Sequence, residues 1–357
     1  MRSALSRAAH WRDAVEDCLR QIGPCGDANL GFVYFSDHFA DDAQRLLDHL
    51  RTRSSVANWT GSVAYGVCGM GQASVDEPAL SLLVGRFPDH SFHVFSGRDP
   101  LRASDHAHFA LVHGDPQTPD MSELVADMAG KVSSGFVSGG LTSGRGTPWQ
   151  VANDLLSGGI SGVAFSHEVG VASRLTQGCS PVAGPFPITQ CEDNVVARLG
   201  GRPALEVYLE AAGNPPLGDL RRVAATLLVG LQLPGDDPHD YLVRHVIGID
   251  PHNGLLAVSE RVETGQSMLL CRRDADAARR DMLRMLAGLK QSLAAPPQGG
   301  IYVCCTGRGG ALFGNDNAEM QMIRATLGEM PIAGFFAAGE IAHDRLYGYT
   351  GVLTLFT

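Results

Sequence analysis

No apolar run in this chain of 357 residues reaches the roughly 20 residues that a membrane-spanning helix requires. The longest, Ala79 to Val84 and Val223 to Leu233, stop well short, so no membrane partner is expected. Basic residues are also scarce. The 28 Lys and Arg stand against 38 Asp and Glu, a formal net charge of −10, and cluster no further than pairs such as Arg272-Arg273 and Arg279-Arg280. A nucleic-acid footprint needs a basic face, which argues against that class of partner. The eight cysteines, at 18, 25, 68, 179, 191, 271, 304 and 305, form no Cys-x-x-Cys pair and no zinc-finger spacing. They read as reduced thiols packed as small apolar side chains. Met1 to Arg7 carries early positive charge but runs into Trp11-Arg12-Asp13 without an apolar core. No secretory signal is read there, and a cytoplasmic protein is expected. There is no Gly-x-Ser-x-Gly elbow, no His-Glu-x-x-His, and no kinase or phosphate-loop signature.

What is present is globular. At 44% hydrophobic and 18% charged, a chain of this length can bury a large core and is natural for two domains. A helix is expected over Ala4 to Ile22. Leu30 to Phe35 then reads as a strand, Ser36-Asp37 opens a helix through Ala43, Leu46, Leu47 and Leu50, and Trp59 to Val67 reads as a second strand. Further strands are expected at Ala79 to Phe87, Ser91 to Phe95, His108 to His113, Gly159 to Ser166 and Gly170 to Gln177. The last two form a hairpin at His167-Glu168, with a helix at Ser122 to Lys131. Gly135 to Gly146, holding Gly139-Gly140, Thr142, Ser143, Gly144 and Arg145, reads as a polar Gly-rich loop, either a flexible connection or a loop that approaches a ligand, without the ending of a phosphate loop or the dinucleotide glycine spacing. Cys179 to Pro187 reads as a Pro-rich loop. Helices are expected at Pro203 to Ala212, Leu217 to Leu233 and Asp274 to Leu293, and strands at Leu242 to Ile249 and Leu255 to Val258.

The last sixty or so residues repeat the strand–helix–strand pattern. Ile301 to Cys305 runs into Thr306-Gly307-Arg308-Gly309-Gly310, Asp316 to Gly328 is an amphipathic helix stopped by glycine, and Pro331 to Ala338 runs into Gly339-Glu340-Ile341. Parallel strands joined by a right-handed crossover place their carboxyl ends on one edge, so Arg308 and Glu340 should emerge near each other. The expected fold is α/β with mixed sheets: two pseudo-repeated lobes, each with a β-α-β unit and additional antiparallel strands. The expected division is an N-terminal helix over 1–28 and two domains over 29–201 and 202–357.

Several ordered blocks carry a family resemblance: Gln177-Gly178-Cys179-Ser180-Pro181-Val182-Ala183-Gly184-Pro185, Leu199 to Tyr208, Cys305-Thr306-Gly307-Arg308-Gly309, Phe313-Gly314 and Pro331 to Ile341. Over nearly its whole length the chain resembles the FIST family. The resemblance implies a FIST N-terminal domain followed by a FIST C-terminal domain, in a sensory, signal-transduction protein that binds small ligands such as amino acids. Some members resemble haem-containing nitric oxide sensors. The sequence departs from the family pattern at Gly69-Met70-Gly71, where a Gly-Glu-Ile-like end is common, and at Tyr347-Gly348-Tyr349-Thr350.

The residues themselves suggest a ligand site. Backbone N–H groups of Thr306 to Gly310 can form an anion-binding nest, and the Arg308 fork can take a carboxylate while Glu340 takes an ammonium. That arrangement suits an amino acid or related carboxylate, with Cys305, Thr306, Gly307, Arg308, Gly309, Gly339, Glu340 and His343 as candidate ligand-binding residues. An Arg308–Glu340 ion pair that only pins two strand ends is the competing reading. An enzyme would use Cys305 as a nucleophile with His343 as its base. A haem would need an axial ligand that sequence does not choose; His90, His93, His106, His108 and His113 cluster in sequence, but alternating His106 and His108 also fit one face of a half-solvated sheet. No metal-site spacing is met. A ligand-free interaction scaffold is the remaining alternative. The chain carries no histidine kinase, receiver or cyclase signature, so a sensor's output is expected to pass to a separate partner such as a histidine kinase or cyclase.

Overall fold

The structure, a computed structural model, describes residues 1–102, 105–233 and 241–357. The chain forms two compact units, residues 1–176 with 280–357, and residues 177–279. The first 176 residues run through β1 (Arg2–Ser6), α1 (Trp11–Ile22), β2 (Leu30–Ser36), α2 (Ala43–Ser54), β3 (Asn58–Ala64), β4 (Gly66–Gly69), β5 (Gln72–Val75) and β6 (Leu80–Gly85). They continue through β7 (Phe92–Phe95), β8 (Phe109–Gly114), α3 (Met121–Gly130), β9 (Phe136–Leu141), β10 (Gln150–Ala152), β11 (Asp154–Leu156), β12 (Ile160–Phe165) and β13 (Val171–Gln177). The second unit holds β14 (Cys179–Glu192), β15 (Val195–Leu199), β16 (Arg202–Pro203), α4 (Ala204–Ala212), α5 (Leu220–Thr226), β17 (Leu227–Gln232), β18 (Tyr241–Arg244), β19 (Val246–Asp250), β20 (Leu255–Val258) and β21 (Ser267–Arg273). The chain then forms α6 (Ala275–Ser292), β22 (Gly299–Cys305), α7 (Gly309–Phe313), α8 (Ala318–Leu327), β23 (Ile332–Ala337), β24 (Glu340–His343), β25 (Arg345–Tyr347) and β26 (Thr350–Phe356).

The first unit is built from one pattern used three times. Its six-stranded sheets have the orders β1-β6-β2-β3-β10-β11, β7-β12-β8-β9-β24-β25 and β13-β26-β22-β23-β4-β5. Each centres on a parallel pair joined through a helix: β2 with β3, β8 with β9, β22 with β23. Each second strand then feeds a hairpin into another repeat's sheet. β4–β5 joins β23, β10–β11 joins β3, and β24–β25 joins β9. The exchange is cyclic and keeps register, with Cys68 opposite Gly334, Val151 opposite Gly61 and Ile341 opposite Gly139. The two strand–helix–strand units expected from sequence are present, and β8–α3–β9 is a third.

A short sequence signature underlies the repeat. Gly61-Ser62-Val63-Ala64-Tyr65-Gly66, Gly139-Gly140-Leu141-Thr142-Ser143-Gly144 and Gly334-Phe335-Phe336-Ala337-Ala338-Gly339 share glycines five apart and a small residue two before the second. The first glycine is sterically required. A Cβ there would lie 1.8 Å from the Val33 carbonyl oxygen at Gly61, 1.9 Å from that of Val112 at Gly139, and 1.9 Å from that of Tyr302 at Gly334.

The inner faces of the three sheets share a core, with Phe32 and Tyr34 from the first, Leu111 and Val163 from the second, and Val303 and Phe335 from the third. Helices cover the outer faces: α1 and α2 through Val15 and Leu46, α3 through Val125 and Met128, α6 and α8 through Met282, Leu286 and Ile323. In α2, buried Leu46, Leu47 and Leu50 share one helical face, and left-handed Ser55 ends the helix.

Several local expectations change. Arg2–Ser6 is a strand rather than the start of a helix, because Ala4 and Ser6 alternate inward against β6. β12 and β13 lie in different sheets, so His167-Glu168 joins no hairpin. Gly135 to Gly146 contains a central strand, β9. Cys179 to Pro187 belongs to β14, which absorbs its prolines through register shifts against β21 around Ala183. Leu227–Gln232, expected as helix, is strand β17, since a short apolar run fits either state and Leu227 to Leu231 is buried on both faces. The second unit is an antiparallel sheet, β18-β17-β21-β14-β15-β20-β19 with β16 beside β15. Buried Tyr208 of α4 packs in its core and donates to the Leu227 carbonyl at 2.7 Å. The mixed α/β class holds for the chain.

Candidate functional site

The carboxyl ends of the three parallel pairs border one cavity of about 310 Å3. Its walls come from the residues that follow those strands: Tyr65 after β3, Gln117 after β8, Thr142 and Arg145 after β9, Thr306 after β22 and Ala338 after β23. Open α/β sheets bind ligands in this place, outside the carboxyl ends of parallel strands. Ser143 ties the repeats together there, accepting from the Tyr65 N–H at 2.8 Å and donating to the Phe336 carbonyl. Thr142 is fully buried, and its N–H donates to the Gly114 carbonyl at 2.8 Å. Its hydroxyl has no hydrogen-bond partner among the described residues. Ala64 and Ala337 hold the same place in the other two repeats, so the hydroxyl is particular to this one. A buried hydroxyl left unpaired costs about 1–3 kcal/mol, which a ligand group would recover.

Arg145 forms one edge of the cavity. Its Nε donates to Asp37 Oδ2 at 2.8 Å, its Nη2 to Asp37 Oδ1 at 3.0 Å, and its backbone N–H to Oδ2 at 2.9 Å. Nη2 also lies 2.7 Å from Asp76 Oδ1, and the guanidinium sits 5.4 Å over the Tyr65 ring. Burial alone would raise the Asp37 carboxyl, but the hydrogen bonds from Arg145 outweigh it and hold the group below its ordinary range.

Beneath Thr306 lies the cluster expected from sequence, with different partners. Arg308 and Glu340 are both fully buried. Arg308 pairs with Glu319 of α8, its Nη2 and Nε donating to Oε1 at 2.7 and 2.9 Å, while Nη1 donates to the Tyr349 carbonyl at 3.2 Å. Tyr302 and Cys304 also donate to Glu319, at 2.7 and 2.9 Å. Glu340 instead accepts from the Thr350 N–H at 3.1 Å and hydroxyl at 2.6 Å through Oε2. Its Oε1 has no hydrogen-bond partner among the described residues, although the Cys305 thiol is close enough to influence the carboxyl. Burial pushes Glu340 up to about 8, against the opposing pull of Thr350 and Arg308.

The remaining candidates divide. The N–H groups proposed as a nest are turned inward: Thr306 to the Ala337 carbonyl, Gly307 to the Cys305 sulfur, Arg308 to the Cys305 carbonyl and Gly310 to Asp316. Gly309 starts α7 with φ +46°. The Gly339 carbonyl accepts from Leu141. Burial and then the neighbouring Glu340 charge push the Cys305 thiol up to about 12, which keeps it protonated. His343 is exposed, its ring edge-on to Phe136 at 4.4 Å. It lies three residues from Glu340 along β24, about 10 Å, with its side chain on the opposite face. The titratable group found beside Cys305 is thus Glu340. Thr142 and Arg145 belong to the polar Gly-rich stretch noted in the sequence, whereas Asp37, Asp76 and Glu319 escaped that reading as site residues, though Glu319 beside Met320 on the apolar face of a helix was a signal of a buried charge.

Among the described residues no His, Cys or Met lines the cavity, and Tyr65, its tyrosine, is held protonated by the neighbouring Asp76. An axial haem ligand is missing there, so the site does not fit a haem. Among the described residues no cluster of His, Cys, Asp and Glu is arranged to hold a metal, and no helix is long and apolar enough to cross a membrane.

Comparison with known proteins decides the lineage. Residues 29–202 match the model of the FIST N domain, and residues 204–343 that of the FIST C domain. The chain belongs to the FIST family. FIST domains are associated with sensory signal transduction. This FIST protein is 31% identical to the uncharacterized protein Rv0628c of Mycobacterium tuberculosis, over 99% of this chain and 96% of that one. It is also 31% identical to the uncharacterized protein Mb0898c of Mycobacterium bovis, over 69% of this chain and 67% of that one. The family segments meet at residues 202–204, whereas the compact units divide after residues 176 and 279. The FIST N segment thus supplies the first two parallel pairs, and the FIST C segment supplies the third.

Proposed function

We propose that this FIST protein is a sensor that binds a small polar molecule in the cavity at the carboxyl ends of its three parallel pairs. The observation that carries the reading is Thr142, which lines the cavity and whose buried hydroxyl has no hydrogen-bond partner among the described residues. The volume is at the lower end of small-molecule pockets, which suits a metabolite-sized ligand. An amino acid enters this proposal with a different mode of contact. Arg308 is engaged by Glu319 and Tyr349, and Arg145 by two carboxylates, so neither guanidinium offers its fork to a carboxylate. The favoured ligands are neutral or cationic. We place the protein in the cytoplasm and its output in a separate partner protein, with the buried Arg308–Glu319 and Glu340–Thr350 contacts as the rigid floor beneath the ligand.

A thermal-shift screen of amino acids, amines and polyols against the parent and Thr142→Val tests this. A ligand at about a hundred times its dissociation constant adds roughly 2.7 kcal/mol and moves the transition by several degrees. That shift should disappear in Thr142→Val. Equal shifts in both proteins, or none in the parent, would sink the proposal.

A further inference from the structure

We infer that Asp37, Asp76 and Tyr65 form a guanidinium-binding subsite at the mouth of this cavity, occupied by the protein's own Arg145, and that the ligand displaces Arg145 with a planar cation of its own. The inference rests on the cavity being a ligand site.

The subsite has the parts that recognise a guanidinium. Asp37, with its side chain only 5% exposed, takes two N–H groups of one fork face-on, Asp76 takes a third contact, and Tyr65 places an aromatic ring beneath the cation. Two carboxylates surround one guanidinium, so the surroundings carry a net negative charge that repels an anionic ligand. Arg145 makes these contacts from the surface rather than from the core. Its side chain is 58% exposed, and it stands between Gly144 and Gly146. Gly144, at φ +130°, brings the chain so close to Asp37 that a Cβ would lie 2.9 Å from the Asp37 Cβ. Release of the guanidinium would leave the two carboxylates without their cation, beside Tyr65 and Gly144 of the cavity wall. A cation that takes its place lies in the cavity that Thr142 also lines, and the Thr142 hydroxyl, buried without a partner among the described residues, points to a second polar group on the same ligand.

A tethered Arg145 competes at an effective concentration in the millimolar range, so removing it should tighten binding of a free guanidinium by about 10- to 100-fold. Methylguanidinium is the probe. Titrations of the parent, Arg145→Ala and the double variant Arg145→Ala, Asp37→Asn should show binding strongest in the single variant and weak in the other two. Arg145→Ala should also melt lower than the parent and recover on adding methylguanidinium. If the double variant does not fold, Arg145→Ala with the half-exposed Asp76→Asn serves as the control. Binding of equal strength in all proteins, or no recovery of the single variant, overturns the inference. Should the parent then still bind a screened ligand through Thr142, the cavity reading stands and only the subsite fails. Methylguanidinium uptake by Arg145→Ala without any Thr142-dependent ligand supports the subsite and sinks the cavity reading.

Discussion

Glu340 and His113 are buried titratable groups whose signs oppose each other. Burial raises Glu340 from its ordinary value near 4.5 to about 8, so the folded state holds a proton that the unfolded chain releases, and stability falls as pH rises from about 4.5 to 8. Burial lowers His113 from 6.5 to about 3, so the unfolded chain takes the proton first, and stability is lost as pH falls from about 6.5 to 3. Each slope is at most about 1.4 kcal/mol per pH unit, and the two offset each other between about 4.5 and 6.5. Urea titrations should therefore find a plateau there. Glu340→Gln should match the parent at pH 5 and exceed it increasingly towards pH 8; parallel curves across that range would refute a raised Glu340. Arg308 gives a second test. Arg308→Met strands Glu319 as a buried charge and should cost about 3–5 kcal/mol, most of it recovered in Arg308→Met, Glu319→Gln. If the double variant is no better than the single, the Arg308–Glu319 pair is not what Arg308 contributes. Sequence placed Arg308 and Glu340 at neighbouring strand ends, as found, but not their partners. Glu319 and Thr350 come from other elements, and spacing along one strand says nothing about them.

At the level of elements, the three glycines that open the repeated hexapeptides decide whether the parallel pairs can close. Gly139→Ala would drive a methyl into the Val112 carbonyl and should cost more than about 3 kcal/mol, whereas Gly130→Ala, at the exposed end of α3 with nothing within 4 Å, should gain about 0.5–1 kcal/mol. Equal and small effects at both, measured by urea unfolding, would mean that β8 and β9 have room to part. The same glycines explain what was legible. The first and third units carry continuous apolar strands, Leu30 to Phe35 and Ile301 to Cys305, around amphipathic helices, and periodicity revealed them. In the second, Phe136–Leu141 contains Ser138, Gly139 and Gly140, and composition suggested a loop. The apolar run of β17 and the prolines of β14 failed for related reasons: what makes them strands is a partner strand that composition does not display.

The whole molecule should come apart along its compact units rather than its sequence halves. Thr176 and Asp281 bracket residues 177–279, and the Thr176 hydroxyl donates to Asp281 Oδ2 at 2.8 Å, so the two chain ends of the first unit are already adjacent. Replacing 177–279 with a short Gly/Ser linker from Thr176 to Arg280 should leave a cooperatively folding protein that keeps the cavity and any Thr142-dependent thermal shift. Division at residue 201 should do the opposite. A fragment of residues 1–201 has β4–β5 without β23 and β9 without β24, while residues 202–357 hold the third parallel pair without β4, β5 and β13. Each fragment then exposes unpaired strand edges beside apolar faces and should aggregate or lack dispersed amide resonances. Well-dispersed spectra from both fragments, together with loss of folding in the linker-joined chain, would show that the cyclic exchange of hairpins does not hold the first unit together.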